Sequence, residues 1–286
     1  MDVKEIALVT FQISVVCTVM GFGLKATFAD LLYLLRLPSL LARSLMAVFV
    51  VMPALVVALD RGFDFPPTVE IALVALAISP LPPRLPARES KAGGHHSYGL
   101  GLMVLLAVLS VGLVPLAAQV LGEYFGHHYA VAPAAIARVI GTTVLAPLAV
   151  GVVVRLAAPG VAETIANPVA VAAKVIMSLA ALALLIVAAP ALWQLLGDGT
   201  ILAIVAFLVV GFAVGHVFGG PEPGHAAVLA FSTACRHPGI ALSIAATNFP
   251  DQRFGATILL YLITSFVLGL AYTAWQRRRA ARTEAG

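Results

Sequence analysis

Apolar residues run along this chain in blocks of about twenty, each closed by a short stretch carrying charge, proline or glycine. Blocks of that length match helices crossing a hydrocarbon core of about 30 Å, and they are far too long for barrel strands. The pattern predicts spans at about 5–23, 38–59, 67–92, 97–121, 131–156, 168–190, 199–218, 225–249 and 254–276, roughly nine in all. The first block reads as a retained helix. Its leader "MDVKE" is not net positive, and no small-residue cleavage site follows "VCTVMGFG".

Two blocks are interrupted. In "IALVALAISPLPPRLPARESKAGGHH" the apolar run stops at Ser79 and meets Pro80, Pro82, Pro83 and Pro86, with Arg84, Arg88, Glu89 and Lys91 interleaved. Proline lacks the amide hydrogen and clashes with the preceding turn, so the helix must break; a crossover and a plain loop both satisfy that composition. In "VLAFSTACRHPGIALSIAATNF" the residues Arg236, His237, Pro238 and Gly239 sit mid-span, with apolar sequence continuing on both sides. The two breaks hold corresponding places, each after ordinary spans and before one more, at an odd offset that inverts one half relative to the other. Paired broken helices of this kind point to a secondary transporter whose site lies where the breaks meet, facing a cavity.

Composition adds the solvent: 61% hydrophobic and 10% charged residues mark an integral membrane protein. Cys17 and Cys235 lie inside apolar runs and read as buried structural thiols. The pI near 9.3 does not indicate nucleic acid, because the basic residues are scattered between spans rather than massed on one soluble face. The C-terminal "WQRRRAAR" places that end in the cytoplasm by the positive-inside rule, and nine spans then put the N-terminus outside. A lipid-binding patch is the alternative use of those arginines. Lys25, Arg36, Arg43 and Arg155 fall inside on this count, and loops with Asp60, Asp64, Glu123, Asp198 and Asp251 fall outside. "GFAVGHVFGG" spaces Gly211, Gly215 and Gly219 for close helix contact within the monomer. No phosphate-cradling loop indicates a pump, and no nucleophile and base stand at a spacing that indicates an enzyme.

In order and spacing the motifs resemble the bile acid:sodium symporter family over nearly the whole chain. "MGFGLKATFADL", "AVFVVMPALVVAL", "PPTVEIALVALAISP", "GGHHSYGLGLMVLLAVLSVGLVP", "LAPLAVGVVVRL" and "ACRHPGIALSIAATNF" are similar to successive helices of that family. The resemblance implies two inverted five-helix repeats, a panel and a core domain, and crossed broken helices in the core. This chain would lack the first helix, with one repeat over about 5–121, the other over about 131–276 and a cytoplasmic tail at 277–286. The resemblance also implies sodium positions, and these are where the chain departs. The family's glutamine before the first crossover falls on Val48, and the Ser-Asn pair falls on Ala87 and Arg88. The serine and threonine of the following helix fall on Gly99 and Met103; the glutamate and glutamine of the second crossover fall on Ser232 and Arg236. Valine, glycine and methionine side chains offer no oxygen to a cation, and two arginines repel one.

An arginine at bilayer depth costs about 2.5 to 3.5 kcal/mol on insertion scales, so it answers to a cavity or a partner. Three roles stand open. Arg88 and Arg236 are fixed cations replacing sodium, or they grip an anionic group of the substrate, or Arg236 pairs with Glu89 structurally. His237, with His95 and His96, offers a proton site; the plainer reading makes His237 a cap for broken-helix carbonyls and leaves His95 and His96 in a wet turn. His127, His128, His216 and His225 read as interfacial, and Lys174 as snorkelling.

The expectation is therefore an all-α polytopic membrane protein, a single domain over 1–286, moving a small organic anion by alternating access without sodium, either proton-coupled or uncoupled. The alternative is a non-transporting membrane sensor or scaffold. Substrate binding is expected at Arg236, His237, Arg88, Ser232 and Thr233, with Ser243 and Asn248 as further polar lining. Coupling is expected at Glu89, Arg88, Arg236, Ser232 and His237. No cofactor, metal or nucleic acid is expected, and the lipid bilayer is the surrounding partner.

Overall fold

The computed structural model describes residues 3–63, 65–126, 129, 131–193, 199–250 and 254–284. Asp64, Asp198 and Asp251, expected in outside loops, and His127 and His128, expected at the interface, lie outside the described residues. Among the described residues the regular elements are all helices, without strands: α1 (Val3–Gly23), α2 (Phe28–Leu31), α3 (Pro38–Leu45), α4 (Met52–Gly62), α5 (Pro67–Ile78), α6 (Leu85–Lys91), α7 (His96–Phe125), α8 (Pro133–Ile140), α9 (Ala146–Ala157), α10 (Pro159–Trp193), α11 (Thr200–Gly219), α12 (Pro223–Ala234), α13 (Pro238–Asn248) and α14 (Gly255–Glu284). Among the described residues six continuous helices are long and apolar enough to cross a membrane, the pairs α3–α4 and α8–α9 each counting as one. Together with α1 and the interrupted pairs α5–α6 and α12–α13, every apolar block of the sequence is a helix or a broken helix. This is an integral, multi-pass helical membrane protein.

Two differences from the predicted limits have simple causes. α10 begins at Pro159 and α14 runs to Glu284, each beyond the predicted span. Hydropathy windows mark only the apolar part of a helix, whereas backbone hydrogen bonding carries it into water.

The joints inside α3–α4 and α8–α9 are π-helical turns, Met46–Val51 and Gly141–Leu145. Each precedes a proline, Pro53 and Pro147. Proline cannot donate to the preceding turn, and the widened turn accommodates the lost bond. α1 packs along α9 and α10, while α11 packs along α12. Glycine sets how close these pairs come. A Cβ on Gly23 would lie 2.3 Å from the Leu148 carbonyl oxygen, and one on Gly151 would lie 2.3 Å from that of Met20. Gly211, Gly215 and Gly219 face Ala234, Leu229–Ala230 and Ala226 in the same manner, so the four-residue glycine spacing is used inside the monomer.

Arg277, Gln276 and Lys25 tie one end of the bundle together, while Arg61 is bonded to Tyr124 at the far end of α7. Arg277 Nε donates to the Lys91 carbonyl at 2.9 Å, Gln276 donates to that of Pro223 at 3.0 Å, and Lys25 donates to Asn167 at 2.8 Å. At this end Asp30 is held by Ser97 Oγ at 2.6 Å and by Thr27 Oγ1 at 2.6 Å, which joins the α2 turn to the start of α7. Partial burial works to raise its pKa, but the hydrogen bonds from Ser97 and Thr27 outweigh it and hold the carboxyl below its ordinary range.

Candidate functional site

The two breaks are in direct contact. The His237 amide donates to the Pro80 carbonyl at 2.8 Å, so the first break is a crossover rather than a loop, with α6 as its short second half. Arg236 lies at this junction, 1% exposed. Its Nη2 donates to the Val48 carbonyl at 2.5 Å and its Nη1 to the Ser79 carbonyl at 3.4 Å. Both acceptors are carbonyls that the helices leave over. In the π register of 46–51 the Val48 carbonyl faces residue 53, and Pro53 has no N–H to give it. Ser79 is the C-cap of α5, at the negative end of that helix. A guanidinium with several fixed donors is suited to span two such oxygens.

The Arg236 amide is bonded in turn to Tyr261 Oη at 2.5 Å, and that hydroxyl donates to the Ala234 carbonyl at 3.1 Å. Tyr261 was not singled out in the sequence. A phenol in an apolar span was the available signal, since a buried tyrosine hydroxyl needs a partner. Tyr261→Phe removes both bonds at the second break, and we expect a loss of about 1–2 kcal/mol in the unfolding free energy of the purified protein.

Arg88 occupies the neighbouring position. Its Nη2 donates to the Ser265 carbonyl at 2.8 Å, its Nη1 reaches Ser265 Oγ at 3.4 Å and Cys235 Sγ at 3.6 Å, and its guanidinium lies 5.2 Å from the centre of the Phe231 ring. Gly269 makes room, because a Cβ there would meet the guanidinium at 2.2 Å. Glu89, 2% exposed, accepts from Ser232 Oγ at 2.8 Å. Its Oε2 has no hydrogen-bond partner and lies against Gly99, where a Cβ would come within 2.5 Å. Arg236 and Glu89 are therefore not paired; each has its own partners, because the crossing directs them to different helices.

Of the positions on which the family's sodium residues would fall, Val48 and Arg236 are in contact, and Gly99 and Ser232 face the two oxygens of Glu89. In the first a guanidinium bridges backbone oxygens, and in the second the Glu89 carboxyl stands between α6, α7 and α12. Thr233 is fully buried with its hydroxyl unpartnered. His237 is the N-cap of α13: its Nδ1 accepts from the Ile240 amide at 3.3 Å, so it caps a helix N–H and not a carbonyl. His95 does the same for α7 through the Tyr98 amide at 3.4 Å, and it stacks on Tyr33 with centroids 4.7 Å apart, so it is no idle residue of a wet turn. His225 is bonded to Tyr33 Oη at 2.9 Å and to Glu222. Cys235 is buried as expected, whereas Cys17 is only half-buried because one side of α1 faces outward.

One surface near the junction is accessible and polar. Gly239, Ser243 and Thr247, four residues apart on α13, are exposed, with the half-buried His237 at their head. Polar groups on a membrane-depth face line wet cavities rather than lipid. Thr247 escaped the sequence reading; its spacing from Ser243 was the signal. Among the described residues no group of three histidine, cysteine or carboxylate side chains is gathered as for a metal.

A family model described as Sodium Bile acid symporter family matches residues 12–195, from α1 through the first crossover into α10. No curated protein matches the chain significantly.

Proposed function

This chain belongs to the sodium bile acid symporter family, and from that premise we propose that it carries a small organic anion across the membrane by alternating access without sodium. The family is one of transporters, which makes transport, and not catalysis, the general activity. The observation that supports the absence of sodium is the placement of Arg236 on the Val48 and Ser79 carbonyls. A bound cation at a crossover neutralises the negative ends of half-helices and unpaired carbonyls. Here a side chain that is permanently charged supplies the same compensation, and it cannot leave. Arg88 on Ser265 repeats the arrangement at the second position.

With the guanidinium groups of Arg84, Arg88 and Arg236 against the Glu89 carboxyl, the crossing carries net positive charge, which favours an anionic solute. Arg236 itself is enclosed, so contact with that solute falls to the accessible Ser243 and Thr247 hydroxyls on the α13 face that begins at His237. The N-terminus outside, the C-terminus in the cytoplasm and the two inverted repeats belong to the same proposal.

The test is thermal unfolding of purified protein in sodium and in potassium chloride, followed by uptake of organic anions into proteoliposomes under either cation. The unfolding midpoint is expected to be the same in both salts, and uptake is expected to be indifferent to a sodium gradient. A midpoint that climbs with sodium at constant ionic strength would defeat the proposal. An anion that stabilises the protein yet is never taken up would instead favour the sensor reading.

A further inference from the structure

We propose that Glu89 is a proton-binding site of the crossing, taking up a proton at Oε2 and releasing it as the coupling ion of transport. This rests on the transporter reading. Three observations place the site. Glu89 is the buried carboxylate in the crossing, 2% exposed, where a bare charge is expensive unless paired. Among the described residues no ion pair reaches it within 4.0 Å: the adjacent Arg88 guanidinium is turned toward Ser265, Cys235 and Phe231. Finally, its two oxygens differ. Oε1 accepts from Ser232 Oγ at 2.8 Å, while Oε2 is buried with no partner, facing the side where Gly99 has no side chain.

Protonation at Oε2 removes the charge that burial makes expensive and leaves Oε1 free to accept from Ser232. The step is a simple balance: a proton from water on one side adds to the Oε2 lone pair, and the same O–H bond breaks to water on the other side. Ser232 on α12 presents its hydroxyl to this carboxyl of α6.

The other titratable groups around it are accounted for. On α7, Tyr98 is tied to Ser44 by a hydroxyl contact of 2.8 Å. At the first turn of α12, His225 is bonded to Glu222 and Tyr33, and its ring meets that of Tyr98 at 5.2 Å. His95 lies beside them, 5.3 Å from His225. These groups form a polar row from the end of the bundle tied by Arg277 and Lys25 toward the crossing, on the side from which water would deliver the proton.

The experiment is an infrared pH titration of the purified, folded protein, which needs no substrate. The native protein is expected to show the carbonyl stretch of a protonated carboxyl that appears and disappears with pH. Glu89→Gln, which keeps the acceptor for Ser232, should lose that band, and Ser232→Ala should shift it. If Glu89→Gln leaves every carboxyl band unchanged, the proposal is wrong. That outcome leaves the transporter reading standing, because the latter is judged by anion uptake in native proteoliposomes.

Discussion

Arg236→Met is expected to lower the unfolding free energy by about 3 kcal/mol and to abolish uptake in proteoliposomes, in sodium and in potassium alike. Methionine fills much of the buried volume but donates nothing, so the carbonyls of Val48 and Ser79 lose their charged donor. A hydrogen bond to a charged group is worth about 1.5–3 kcal/mol, and leaving its buried partner unsatisfied carries a further penalty. Against this, an apolar side chain spares the desolvation of a buried charge, and for a self-contained ion pair that relief can cancel the loss. The acceptors here are backbone oxygens that remain after the substitution, one facing Pro53 and the other capping α5, so the loss should prevail. Arg236→Lys keeps the charge but not the fork, and should recover part of the stability. Unfolding curves for the three proteins decide between the roles. An arginine that only grips the substrate would leave the stability of the free protein unchanged on substitution.

Gly215→Val is the second large effect. A Cβ at this position would lie 2.3 Å from the Leu229 carbonyl oxygen and 2.5 Å from the Ala230 Cα, both of them backbone atoms of α12. Neither can yield by changing rotamer, and the flanking Gly211 and Gly219 hold the same two helices together on either side. Overpacking typically costs about 1–3 kcal/mol, and contact with backbone belongs at or above the top of that range. Because Ser232 lies in the last turn of α12 and Arg236 just beyond its end, separating α12 from α11 also displaces both parts of the candidate site. Loss of the monodisperse protein on size-exclusion chromatography would be the visible result. Gly112→Val, at a helical glycine with nothing within 4 Å of an added Cβ, serves as the control and should fold normally.

Much of this architecture is legible along the chain because the bilayer demands it. Apolar length marks a span, and the prolines at 80–86 and 238 mark breaks since no helix absorbs them. Even the unusual charges could be recognised as functional, because arginine at that depth requires a reason. The glycine row of α11 announced a close contact, although not with which helix.

The particular chemistry of the crossing was not legible in the same way. Arg236 finds Val48 at a separation of 188 residues, and Glu89 finds Ser232 at 143. Nothing local chooses between a guanidinium that caps carbonyls, one that grips a solute and one that pairs with Glu89. His237 could be read as a cap, but whether for carbonyl or amide depended on which half-helix begins at it. Spans, breaks and buried charge follow from the order of residues alone, since each reflects the cost of placing polar groups and prolines in a bilayer. Their partners are set by the folded chain, because the passage of one broken helix across another puts a particular orphaned carbonyl within reach of a particular side chain.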